Sequence, residues 1–119
     1  MAAERLPLLS EEVSDLARRA GLGDRFLYWR GHSGRRYLFT AIACESLADF
    51  RSAVVILAEF RPDGRFVGRT VTALDSAGRG WPPIVPAGQA AFVHLLATTA
   101  EDRRAVLRDL GSTTLSLAA

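Results

Sequence analysis

Lysine and asparagine are absent from these 119 residues, and all fifteen basic side chains are arginine. No fold demands both absences. The codons of both residues are A-rich, so a GC-rich coding sequence accounts for the two together, and the many alanines agree. The number of arginines therefore carries little functional message, although a guanidinium makes the better bidentate contact. Cysteine is nearly missing too. Cys44 stands alone, which excludes an internal disulfide and fits a reducing cytoplasm. The two histidines, His32 and His94, together with that one cysteine show no metal-like spacing and argue against a zinc site. Long apolar runs are also lacking. No uncharged apolar stretch approaches the roughly 18–20 residues of a membrane span. Met1–Ser10 carries Glu4 and Pro7 where a signal peptide would have its apolar centre. Neither Gly31–Gly34 nor Gly78-Arg79-Gly80 opens a helix after a strand, so no phosphate-cradling motif is supported.

What is present belongs to a folded protein. Hydrophobic residues make up 49% and charged residues 24%, ordinary values for a globular chain. The length suits one domain over 1–119, with 1–9 as a loose arm and 112–119 as a flexible tail. The net charge of +2 is well short of a typical nucleic-acid-binding module. Its positive excess gathers on two stretches, 25–44 and 61–80.

The densest stretch is Arg25–Ile42, RFLYWRGHSGRRYLFTAI. It holds five of the ten aromatic residues and four of the fifteen arginines. Two apolar runs, Phe26–Trp29 and Tyr37–Ile42, flank glycines that supply the positive φ of a reversal. A loop of Gly31–Gly34 gives a hairpin in which like meets like. Arg30 then faces Arg35, Trp29 faces Arg36, Tyr28 faces Tyr37, Leu27 faces Leu38 and Phe26 faces Phe39. One face carries Phe26, Tyr28, Tyr37 and Phe39; the other carries Leu27, Trp29, Arg36, Leu38 and Thr40. Trp29 opposite Arg36 suits a cation–π contact.

Elsewhere, Ser10 reads as the N-cap of a helix over 11–20, with Glu11 and Glu12 in its first turn. Val13, Leu16, Ala17 and Ala20 form one apolar stripe, and Gly21 ends it. Residues 44–50 are a connector with about one helical turn. Ala53–Phe60 reads as a strand covered on both sides. Arg61-Pro62-Asp63-Gly64 signals a type I turn, and Phe66–Ala73 returns. Phe60 then faces Phe66, Val55 faces Val71, and Glu59 lies diagonal to Arg69. Asp75–Gly88, around Trp81, is a long loop. Ala90–Thr98 fits a fifth strand or a helix, the strand being preferred because a helix start follows at once. Thr98 and Glu101 suit a capping box for a helix over 99–110. That helix buries Ala100, Val106, Leu107 and Leu110 and exposes Arg103, Arg104 and Asp109. The expected class is α+β: an antiparallel sheet of four or five strands built from two hairpins, with an N-terminal and a C-terminal helix.

No catalytic constellation is visible, and the expectation is a protein that is not an enzyme. His32 and Ser33 are adjacent in a turn, where side chains rarely meet. Cys44 as a nucleophile needs a histidine or a helix N-terminus beside it. His94 sits in an apolar run, as a core histidine does. No cofactor or metal is implied. The strongest lead is the basic aromatic hairpin, whose side chains suit either a core with a solvated end or a binding surface. Its candidate partner-binding residues are Trp29, Arg30, Arg35 and Arg36, joined by Trp81. The strings YWRGHSGRRYLFT and FVHLLATTAEDRRAVLRDL resemble those of short uncharacterised α+β proteins from GC-rich proteobacteria. That resemblance covers about residues 25–110 and implies no activity, cofactor or site residue. The expected function is a small cytoplasmic binding or adaptor module acting through protein–protein contacts or self-association. The alternative is a nucleic-acid-binding module whose aromatics stack on bases while arginines meet phosphates.

Overall fold

In the computed structural model the described residues are 8–12, 25–50, 52–75, 84–111 and 116–117. Among them seven strands form one sheet: β1 (Ser10–Glu12), β2 (Phe26–Arg30), β3 (Arg36–Ile42), β4 (Ser52–Phe60), β5 (Phe66–Asp75), β6 (Gln89–His94) and β7 (Ser116–Leu117). A 3₁₀ turn at Cys44–Asp49 follows β3, and one α-helix, α1 (Ala100–Gly111), follows β6. The sheet order is β1-β2-β3-β6-β4-β5-β7. The class is α+β, with more strands than the four or five expected. β6 lies between the two hairpins and pairs antiparallel with both β3 and β4. The last strand, β7, runs parallel to β5, so the sheet is not wholly antiparallel and part of the expected tail is a strand.

The beginning of the chain differs from expectation. Ser10, Glu11 and Glu12 are not the start of a helix; they pair with Trp29, Tyr28 and Leu27. Short polar residues that suit a helix cap suit an edge strand equally well, and pairing with β2 decides. The rest of the expected helix, 13–20, lies outside the described residues. Leu8 and Leu9 are not loose. Leu8 is buried, its carbonyl accepts the Gly68 N–H at 2.7 Å, and Leu9 bridges Val67 on β5. The Phe66 N–H donates to Ser10 Oγ at 2.8 Å. These contacts join the first strand of the order to the sixth, so the sheet curls onto itself.

Two apolar clusters result. The inner one holds Leu8, Trp29, Tyr37, Phe39, Val54, Ile56, Ala58, Val71 and Phe92, and α1 adds Val106 and Leu110 to it. The outer one packs Leu47 of the 3₁₀ turn, with Phe50 and Val85, onto Val55, Leu57, Ala91 and Val93. β4 is therefore covered on both faces, as its AVVILA run requires. The β4–β5 pairing keeps Phe60 opposite Phe66, but Val55 faces Thr72 and not Val71. A bulge explains the shift: Leu57 pairs with Thr70 and Ala58 with Gly68, leaving Arg69 as the extra residue. Arg69 still reaches Glu59 across the diagonal at 3.0 Å.

The fifth strand forms and is shorter than expected, ending at His94. The helix cap is Thr99 rather than Thr98: the Asp102 N–H donates to Thr99 Oγ1 at 3.0 Å. Both threonines stand three residues ahead of an acid, so the sequence permits either. Three side chains of α1 also depart from expectation. Ala100 is exposed, Arg103 is half-buried with its guanidinium donating to the Ala97 carbonyl at 3.2 Å, and Asp109 is half-buried against the β2–β3 loop.

Candidate functional site

The β2–β3 hairpin turns through five residues, Gly31–Arg35, and not four. The Gly31 N–H donates to the Arg35 carbonyl at 2.8 Å, the Gly34 N–H donates to the Gly31 carbonyl at 3.0 Å, and Gly34 has φ 91°. A type I turn followed by a left-handed glycine is the usual three-residue hairpin with a bulge. The extra residue slips β3 by one position. Arg30 faces Arg36, Trp29 faces Tyr37, Tyr28 faces Leu38, Leu27 faces Phe39 and Phe26 faces Thr40. A one-residue slip exchanges the faces of a strand, so the expected like-with-like ladder does not exist.

The consequence for the candidate residues is direct. Trp29 is 0% exposed, wedged edge-on between Phe39 at 5.4 Å and Phe92 at 4.7 Å. Its indole N–H has no hydrogen-bond acceptor among the described residues, and the ring packs against aromatic rings, where only weak N–H to ring contacts are on offer. Trp29 is thus a core residue and not a contact surface, and it does not meet Arg36. Instead the Arg36 guanidinium lies over the Tyr28 ring, 4.8 Å from its centroid, a contact worth about 0.5–1 kcal/mol when exposed. Arg30 is fully engaged. It forms a bidentate pair with Glu11 at 2.9 and 3.1 Å and donates to the Gly34 carbonyl at 2.9 Å. The Glu11 carboxyl is held below its ordinary range chiefly by that hydrogen bond. Arg35 is exposed at the loop. Trp81 lies outside the described residues.

Tyr28 and Arg36 do not stand alone on the outward face. Leu38, opposite Tyr28, is half-buried and points the same way. The ladder with β3 ends at the Thr40–Val93 pair, β6 ends at His94, and Leu95 follows it. His94 fixes this end: its Nδ1 donates to the Leu38 carbonyl at 2.7 Å, since a carbonyl only accepts. Leu95 is 49% and Leu96 72% exposed. The 3₁₀ turn covers the outer sheet near Ile42 and Val93 and leaves this other half uncovered among the described residues. Tyr28 and Leu38 therefore face outward with Arg36 beside them, and Leu95 and Leu96 are exposed just past the end of β6.

Beside it, the hairpin loop is clasped to α1. Asp109 accepts from the Ser33 N–H at 2.8 Å, the Ser33 hydroxyl at 2.6 Å and the Tyr37 hydroxyl at 2.7 Å, and its carbonyl accepts the His32 N–H at 3.0 Å. Burial pushes the Asp109 carboxyl up, but the hydrogen bonds from Ser33 and Tyr37 outweigh it and leave the group below its ordinary value. Burial, then the bond to Asp109, pushes the Tyr37 hydroxyl up to about 12. Together these bonds clasp the hairpin loop to α1. The sequence hid this site because Asp109 lies 76 residues from Ser33.

Cys44 and His94 are not brought together. The thiol lies 3.8 Å from the Gln89 carbonyl at the start of β6, and His94 ends the same strand, on the order of 16 Å further along. Among the described residues there is no group of three or more His, Cys, Asp or Glu that could hold a metal ion, and no helix is long and apolar enough to cross a membrane. Compared with family models, curated proteins and solved structures, the chain finds no match.

Proposed function

We propose that the protein is a small binding module that works through protein–protein contacts, using Tyr28, Leu38, Leu95 and Leu96 with the neighbouring arginines. The observations that carry this reading are the two exposed leucines just past β6 and the outward Tyr28–Arg36 stack. An apolar centre with tyrosine and a rim of arginine is the usual anatomy of a protein interface, and the arginines favour an acidic rim on the partner. The single thiol, exposed at Cys44, suits a reducing cytoplasm. Light scattering across a concentration series, with affinity capture from the native host, tests the reading. Leu95→Glu and Arg36→Ala should abolish whatever self-association or capture the wild type shows. A monomer whose captured proteins are unaltered by both substitutions would refute it.

A nucleic-acid-binding module is the second reading, favoured by the same Arg36–Tyr28 stack beside Arg35. Its signature is affinity for single-stranded DNA or RNA that falls steeply with salt. No binding to either at low salt removes it.

A further inference from the structure

We propose that the open end of the curled sheet, opposite the clasped hairpin loop, binds a small uncharged and largely apolar molecule. Inward positions change size along the interior. At the helix end they carry Trp29, Tyr37, Phe39 and Val54, which fill the space. Toward the other end they carry Ala41, Ala58 and Ala90, with Ala58 and Ala90 directly paired across β4 and β6. A cleft of about 960 Å³ opens at the mouth beside Ala41 and Ala90, within the usual span for small-molecule sites, for which barrel mouths are a preferred location.

The lining defines the class of ligand. Leu27, Ala41, Phe66, Ala90 and Phe92 form an apolar floor, and Phe60, 63% exposed, stands at the lip against Phe66 at 5.1 Å. The polar rim already has partners. Ser10 Oγ accepts the Phe66 N–H, Glu11 holds Arg30, Asp63 holds Arg61 and the Arg65 N–H, and Arg65 Nε donates to the Ser10 carbonyl. Glu12 is engaged as well. With those charges paired among themselves, the apolar floor is the part left to bind, and it suits a neutral aromatic or alicyclic body.

The neutral fluorophore N-phenyl-1-naphthylamine, titrated into the full chain, tests this. Saturable one-to-one uptake with a blue-shifted emission is expected. Ala90→Trp and, as a smaller filling change, Ala41→Phe should each weaken it by roughly tenfold or more, while Arg104→Ala, exposed on α1 at the opposite end, leaves it unchanged. Thermal melts establish which variants fold. Nuclear Overhauser contacts between the probe and the Phe66 and Phe92 rings of the wild type give a readout that needs no substitution. The proposal is overturned by absence of saturable uptake in the folded wild type or by uptake undiminished in the folded filling variants.

Discussion

Asp109 and Gly31 depend on each other. A Cβ on Gly31 would fall on the Asp109 carboxylate, so the residue that opens the hairpin loop must be glycine for the carboxylate to reach Ser33 and Tyr37. Asp109→Ala removes three hydrogen bonds to a charged group in a half-buried setting and should cost about 1.5–3 kcal/mol in urea unfolding. Gly31→Ala expels the same carboxylate and should cost a similar amount. The double variant should lose little more than either single one, because both break one contact; additive losses would show that the two act separately. The clasp also sets a pH response. Asp109 is lowered from 3.8, so its stabilisation is present above that value and is lost as pH falls through the lowered one. Tyr37 is raised from 10.0 to about 12, so its contribution is intact below 10.0 and is lost as pH rises across that interval. Unfolding free energies of wild type and Tyr37→Phe should therefore converge at the alkaline end.

At the scale of elements, the two hairpins share one loop. Gly31–Arg35 and Arg61–Arg65 close with the same pair of backbone hydrogen bonds, first N–H to fifth carbonyl and fourth N–H to first carbonyl. Gly34 and Gly64 occupy the same position with φ 91° and 86°. Gly34→Ala and Gly64→Ala should each cost about 1–2 kcal/mol from the left-handed backbone alone, read by thermal unfolding; unequal costs would mean that the loops differ in kind. This repetition was legible. GHSGR and RPDGR both carry glycine fourth and arginine fifth. The Pro-Asp-Gly chemistry of the second loop led to the right pairing of Phe60 with Phe66, whereas the aromatic symmetry of the first suggested a four-residue loop and turned β3 over. The strand runs, the 3₁₀ turn and the C-terminal helix were readable because each rests on local pattern. Ser10-Glu11-Glu12 was not, since its fate depends on Trp29–Leu27 across the sheet.

The whole molecule is governed by contacts that no local pattern announces. β6 enters between two hairpins, and Leu8 crosses β5 at Gly68. Both are long-range. Gly68 marks the seam of the curled sheet: a Cβ there would stand 2.8 Å from Leu8 Cδ2. Gly68→Val should loosen the β1–β5 junction, seen as faster amide exchange at Gly68 and Phe66 with β2–β3 protection retained. Unchanged exchange would count against the closure.

Both functional readings stand on one partition, Trp29 inside the curled sheet and Tyr28 with Arg36 outside. Acrylamide quenching of the Trp81→Phe variant, in which Trp29 is the sole tryptophan, tests it most directly. The fold described here predicts a blue-shifted emission that acrylamide scarcely quenches until the protein unfolds. A red-shifted emission quenched as readily in the native as in the unfolded state would put Trp29 on the surface and contradict it.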